Sequence, residues 1–123
     1  MPNIQRQHTT ARMSKIVSYA GTVYLCGQTA KASASATAGI TAQTTEVLAR
    51  IDKLLGQAGS DRTRLLSVTI FLRDIGDFDA MNVVWESWLG EVHAAAPART
   101  TVQAALATNN LLVEITVTAA TQK

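Results

Sequence analysis

The chain predicts an α+β sandwich: one sheet with both helices packed on the same face. Two observations carry that reading. Two segments have helical apolar spacing, and β-prone runs stand before, between and after them. The strand and helix segments alternate too unevenly for a doubly wound parallel sheet, which favours helices gathered on one side. With 123 residues there is no room for two independent cores, so residues 1–123 form a single domain.

Taken in order, residues 1–13 are polar and unpatterned, and no element is assigned there. Residues 16–19 and 23–28 are short β-prone runs around Ala20-Gly21-Thr22, a hairpin in which glycine supplies the turn. Residues 29–39 are a loop by composition, built almost wholly from Ala, Ser, Thr and Gly. Over residues 41–58, Val47, Leu48, Ile51, Leu54, Leu55 and Ala58 form an amphipathic stripe that Gly59 stops. The run LLSVTIFL at 65–72 is continuous and β-branched, so a strand buried on both sides is expected. Asp77 is placed to cap a second helix, where Phe78, Met81, Val84, Trp85, Trp88 and Leu89 repeat at helical spacing before Gly90. Both tryptophans are assigned to the core. Two further strands, 99–105 and 112–118, flank a loop with Asn109 and Asn110, giving the order ββαβαββ. Two helices cover only one face of such a sheet, and the other must find another subunit.

Composition removes several function classes. Hydrophobic residues make up 47% and charged residues 16%, too apolar for a disordered chain. The net charge of +2 is scattered along the sequence, which disfavours nucleic acid as a partner. A lone Cys26 excludes an internal disulfide and fits a reducing, cytoplasmic setting, and no window reaches the length of a membrane span or signal peptide. His8 and His93 lack the spacing of metal ligands, so no metal is expected. No phosphate-cradling glycine loop or nucleophile elbow is present. Cys26, beside Gly27, reads first as a small buried hydrophobe.

Arg99 and Glu114 stand apart, as charged residues inside strands. If the last two strands form a hairpin in which Ala105 pairs with Leu112, Gln103 faces Glu114 and Arg99 faces Thr118. The two charges then share one face, roughly 13 Å apart at Cα level. A small ligand between them fits that gap, and a structural or surface ion pair is the competing reading. Arginine offers a planar donor fork for a carboxylate, and a glutamate can shuttle a proton and activate a water.

The segments TVYLCGQTA, EVLARIDKLLGQAGSD, LLSVTIFLRDIGDFDAMNVVWESWL and PARTTVQAALATNNLLVEITVTAA resemble the RidA (YjgF) family of reactive-intermediate imine deaminases from about Val17 to Ala119. The resemblance implies a chorismate-mutase-like fold, a homotrimer with sheets facing inward, and active sites in clefts between subunits. It implies hydrolysis of 2-iminobutanoate or 2-iminopropanoate to 2-keto acids and ammonia without a cofactor. By similarity Arg99 binds the substrate carboxylate, Glu114 is the carboxylate near the water, Asn82 lines the cleft, and Cys26-Gly27 matches a Ser-Gly step whose backbone approaches the ligand. Thr101 stands at a substrate-contacting position where many members have Cys, and Met13 falls near a cleft Tyr. A non-catalytic trimeric module binding small 2-keto or amino acids is the alternative.

Overall fold

The computed structural model describes residues 3–122. Six strands, β1 (Gln5–Thr9), β2 (Ser14–Tyr19), β3 (Thr22–Leu25), β4 (Leu65–Leu72), β5 (Ala98–Gln103) and β6 (Val113–Ala120), form one mixed sheet in the order β1-β2-β3-β6-β4-β5. Only β4 and β5 run parallel. Helices α1 (Ile40–Gln57) and α2 (Phe78–Gly90) lie side by side on one face.

Local chemistry explains most of these elements. Tyr19 pairs with Thr22 across Ala20 and Gly21, whose φ values of 52° and 83° are the left-handed pair that a two-residue hairpin turn requires. The predicted stripe of α1 is buried from Val47 to Leu55. On α2, Met81, Trp85, Trp88 and Leu89 are buried, with the two indole rings 5.5 Å apart. These side chains close over Ile16, Val23, Leu25, Val68, Ile70, Leu72, Val113, Ile115 and Val117 to make one core. Burying a side chain of this size contributes about 1.5–3 kcal/mol. The Arg62 guanidinium fastens the helices together: it donates Nε and Nη2 to Asp52 on α1 (3.1 and 2.7 Å) and Nη1 to the Trp88 carbonyl on α2 (2.7 Å).

Several expectations are corrected. A strand exists in the polar N-terminal stretch: QRQHT pairs with β2 as β1, an edge strand whose ladder needs backbone groups and no apolar pattern. The strand expected over 23–28 ends at Leu25, and Gln28 makes only an isolated bridge to Ile115. β4 is buried on one side within the chain. Val68, Ile70 and Leu72 point into the core, while Ser67 is exposed and Thr69 and Phe71 are half-buried. A bulge between Leu65 and Ser67 also turns Leu66 outward, to 49% exposure, against the alternation expected of it. At the start of α2, Asp77 is the N-cap by position but its side chain makes no capping bond. The preceding turn is capped instead by Asp74, which accepts from the Gly76 N–H at 2.8 Å.

The largest correction concerns the last two strands. β5 and β6 are not a hairpin, because β4 lies between them. β4, α2 and β5 form a crossover unit that returns β5 beside β4 in parallel, and β6 then fills the other side of β4. The connecting loop is tied down separately. Arg73 donates to the carbonyls of Leu111 (2.7 Å), Leu106 (3.3 Å) and Thr108 (2.5 Å), while the buried Gln43 amide donates to the Asn110 carbonyl (2.8 Å) and accepts from the Leu112 N–H (2.8 Å).

The sheet face away from the helices is laid out by register. Thr118, Thr116 and Glu114 of β6 stand opposite Ser67, Thr69 and Phe71 of β4, and Tyr24 of β3 lies beside Thr118. Tyr24 is 49% exposed there. Among the described residues no helix is long and apolar enough to cross a membrane.

Candidate functional site

Arg99 lies on β5, the edge strand beside β4, and its pairing with Val68 turns its side chain to the helix-covered face. There it meets one side of α2, where Phe78, Asn82 and Trp85 fall at positions i, i+4 and i+7. Nη1 donates to the Asn82 Oδ1 at 2.7 Å, and the guanidinium carbon stands 5.7 Å from both the Phe78 and Trp85 ring centres. An aromatic side chain holds a guanidinium through its ring face while leaving in-plane donors available. Among the described residues Arg99 has no carboxylate within salt-bridge distance; the ion pairs there are Arg50–Glu46, Arg62–Asp52 and Arg62–Glu91. The structural ion-pair reading of Arg99 therefore finds no partner among the described residues.

Thr101 shares this face, two residues along β5 and paired with Ile70. Its hydroxyl is buried and has no hydrogen-bond partner among the described residues. Such a group left unpaired costs about 1–3 kcal/mol, which makes it a natural contact for a polar ligand atom.

Glu114 belongs to a second cluster. On β6 it faces Phe71, on the sheet face away from the helices, and its carboxylate lies against the backbone of Gly27. A Cβ at Gly27 would stand 2.9 Å from the Glu114 Cδ and closer still to Oε2, so only glycine leaves the carboxylate where it is. Gln28 fixes this segment. Its backbone exchanges both hydrogen bonds with Ile115 (2.9 and 3.0 Å), and its side-chain amide donates to the Cys26 carbonyl (3.3 Å) and sulfur (3.2 Å). Burial pushes the Cys26 thiol up, and the opposing pull of the Lys15 ammonium and the Gln28 amide is smaller. The thiol is thus kept protonated at neutral pH, unlike a catalytic thiolate.

Within one chain the sequence-derived pair does not assemble. Arg99 pairs with Val68 and Glu114 with Phe71, so the two lie on opposite faces, with β4 between them. Their Cα atoms are roughly 14 Å apart by strand geometry. The same-face arrangement expected from a terminal hairpin does not form, because β5 pairs with β4. Asn82 does join Arg99, and Cys26 and Gly27 do join Glu114. Met13 lines one cleft with Cys26 and Gly27 of the second cluster, with 46% of its surface exposed. Sequence reasoning missed Phe78 and Trp85 as the seat of the guanidinium and Gln28 as the brace of Gly27. The i, i+4, i+7 relation of Phe78, Asn82 and Trp85 was the available signal.

Chemically, the first cluster can hold a carboxylate and the second can move a proton. Comparison with known proteins agrees with a shared architecture. The family model described as endoribonuclease L-PSP matches residues 3–121. A RutC family protein, YoaB, from Escherichia coli is 40% identical over 117 residues, covering 95% of this chain and 97% of the relative. A RutC family protein from Haemophilus influenzae is 37% identical over 116 residues, covering 94% and 97%. The crystal structure of a YjgF family member from Neisseria meningitidis superposes with a TM-score of 0.86 at 38% identity, covering 98% of this chain and 97% of that one. With its two helices on one mixed six-stranded sheet and near full-length similarity to these proteins, the chain belongs to the endoribonuclease L-PSP family, the YjgF/RutC group that its motifs resemble.

Proposed function

We propose that the protein is an imine deaminase, a hydrolase acting on C=N bonds, which converts small 2-imino acids such as 2-iminobutanoate and 2-iminopropanoate to 2-keto acids and ammonia. The observation that carries this reading is Arg99. Its guanidinium is held by Asn82, Phe78 and Trp85, has no carboxylate partner among the described residues, and so is preorganised for a substrate carboxylate. Glu114 supplies the proton transfers. It takes a proton from water as the oxygen adds to the imine carbon and delivers it to nitrogen, giving a carbinolamine; it then carries the hydroxyl proton to the amine, so that the C–N bond breaks, ammonia leaves and the carbonyl forms. The overall change is imine plus water to ketone plus ammonia, with no redox step. Gly27 keeps the backbone low enough for the Glu114 carboxylate to reach the ligand.

Because Arg99 and Glu114 occupy opposite faces of one sheet, a ligand touching both needs two protomers. The proposal therefore includes a homotrimer with each site in the cleft between subunits, the β5 edge of one protomer meeting the Gly27–Glu114 face of its neighbour. The part-exposed Tyr24, Tyr19 and Val102 on that open face support its burial in an assembly. The test couples a threonine dehydratase, which releases 2-aminocrotonate, to this protein and follows loss of the imine. Acceleration above the spontaneous rate is expected. Calorimetric binding of 2-oxobutanoate with no acceleration would replace the enzyme by a binding module.

A further inference from the structure

The chain contains four lysines, at positions 15, 31, 53 and 123. Three of them, contributed by separate segments, line a single cleft of about 570 Å³ between α1, the β1–β2 end of the sheet and the loop that follows β3. That volume lies within the range of small-molecule sites. Arg50 and His8 line it too, and no carboxylate does. Arg50 is paired with Glu46 at 2.8 Å, but Lys15, Lys31 and Lys53 have no ion-pair partner among the described residues. Without these three lysines the chain would hold 8 basic side chains against 9 acidic ones, so they carry its whole positive excess. A charge that looks dispersed along the sequence is gathered in space.

The walls are braced before any ligand arrives. Arg50 donates to the carbonyls of Thr29 (2.8 Å) and Lys31 (2.7 Å), fixing the loop that presents Lys31. On the other side the Gln57 side chain bonds the His8 ring (2.7 Å), fixing β1 to α1. Lys53 and Arg50 fall at i and i−3 on α1, on one side of the helix. Strained backbone collects here as well: two of the four described non-glycine residues in the left-handed region, His8 (φ 54°) on β1 and Ala32 (φ 60°) in the loop after β3, line the cleft. Such strain persists where surrounding structure over-determines it, typically at ligand sites.

We infer that the cleft lined by Lys15, Lys31 and Lys53 binds a small polyanion, a metabolite carrying phosphate groups or several carboxylates. Three ammonium groups without ion-pair partners among the described residues line one part-enclosed cleft, and an anion of two or more charges would draw on their combined field while satisfying their donors. Lysine suits this ligand class, being a compact point charge on a flexible stem that adapts to oxygens without a planar fork. The cleft shares Cys26 and Gly27 with the Glu114 cluster, but neither Arg99 nor Glu114 lines it, so polyanion binding through the lysines is read separately from imine turnover.

Calorimetry on the full chain at low ionic strength, with inorganic pyrophosphate in one arm and tricarballylate in the other, tests it and separates phosphate from polycarboxylate. One site per chain is expected for at least one probe, with affinity falling as salt is raised. Lys31→Gln/Lys53→Gln should weaken that probe by about tenfold or more, and Arg12→Gln, outside the cleft, by less than about twofold. The single variants Lys31→Gln and Lys53→Gln, each at an exposed position, should weaken it about threefold and keep the test intact if the double variant folds poorly. Absence of binding by both probes up to about 10 mM, or equal loss in Arg12→Gln and the cleft variants, overturns the inference.

Discussion

Gly27→Ala isolates the role of the Glu114 carboxylate without touching a charged group. A Cβ at this position would lie 2.9 Å from the Glu114 Cδ and 3.1 Å from its Cγ, with the Oε2 nearer still, whereas ordinary contact begins at 3.4 Å. The obstacle is the far end of a flexible side chain, so the Gly27 backbone stays and the carboxylate retreats by about 1 Å. Overpacking of this kind costs about 1–3 kcal/mol where nothing can move, and less where a side chain can swing away. Replacing glycine also returns about 0.4–1 kcal/mol through the unfolded chain, since Gly27 does not occupy the left-handed region. The two contributions nearly offset, and the melting temperature should change by no more than about 5 °C. Activity should respond far more, because displacing a catalytic group by about 1 Å costs on the order of 10²-fold in rate. The assay pairs the coupled imine-loss rate with thermal unfolding, for wild type and Gly27→Ala. A second comparison adds Glu114→Ala to both backgrounds: Gly27→Ala should then change stability differently, since the group it meets is gone. Wild-type turnover in Gly27→Ala, or the same stability change with and without the Glu114 side chain, would refute the contact and its catalytic meaning together.

Four further outcomes are expected. Arg99→Ala should abolish turnover while lowering stability by about 1–3 kcal/mol, because the native guanidinium makes a part-buried hydrogen bond to Asn82 and lies over Phe78 and Trp85, with no ion pair among the described residues; Arg99→Lys should recover little, lacking the bidentate fork. Unfolding of Arg99→Ala in a circular dichroism melt would assign the residue to structure. Glu114→Gln should lower turnover by about 10²-fold or more with 2-oxobutanoate affinity retained in calorimetry, since a proton shuttle acts mainly in the transition state. Light scattering at micromolar concentration should give a mass near three times 13.1 kDa, and a stable monomer would contradict the shared cleft. The Cys26 thiol, pushed up by burial, should alkylate with iodoacetamide at pH 8 more slowly than free cysteine and gain reactivity only as pH rises further.

Much of the fold was legible because local rules and global packing agree. The stripe from Val47 to Leu55 is buried as its spacing implies, Trp85 and Trp88 are in the core, and the turn at Ala20-Gly21 has the backbone that glycine suggested. Elements held by backbone pairing alone were silent. QRQHT shows no apolar alternation because edge strand β1 has little to bury, yet its ladder to β2 is complete enough to form.

The site divides along the same line. Residue types alone determined the chemistry available: a guanidinium at 99, a carboxylate at 114, an amide at 82 and a glycine at 27, within motifs that place the chain in its family. Tertiary structure alone decided which of these meet. The choice of β4 over β6 as the partner of β5 is made by a crossover through α2, a non-local event that no strand pattern encodes, and side-chain parity then sends Arg99 and Glu114 to opposite faces. The same holds for the three lysines at 15, 31 and 53: sequence separates them by 16 and 22 positions, and only the docking of α1 beside the β1–β2 end gathers their like charges into one cleft. Periodicity records which face of an element is buried, because burial acts on each element locally; the pairing of strands and the convergence of charges depend on distant segments, and only the folded chain brings those together.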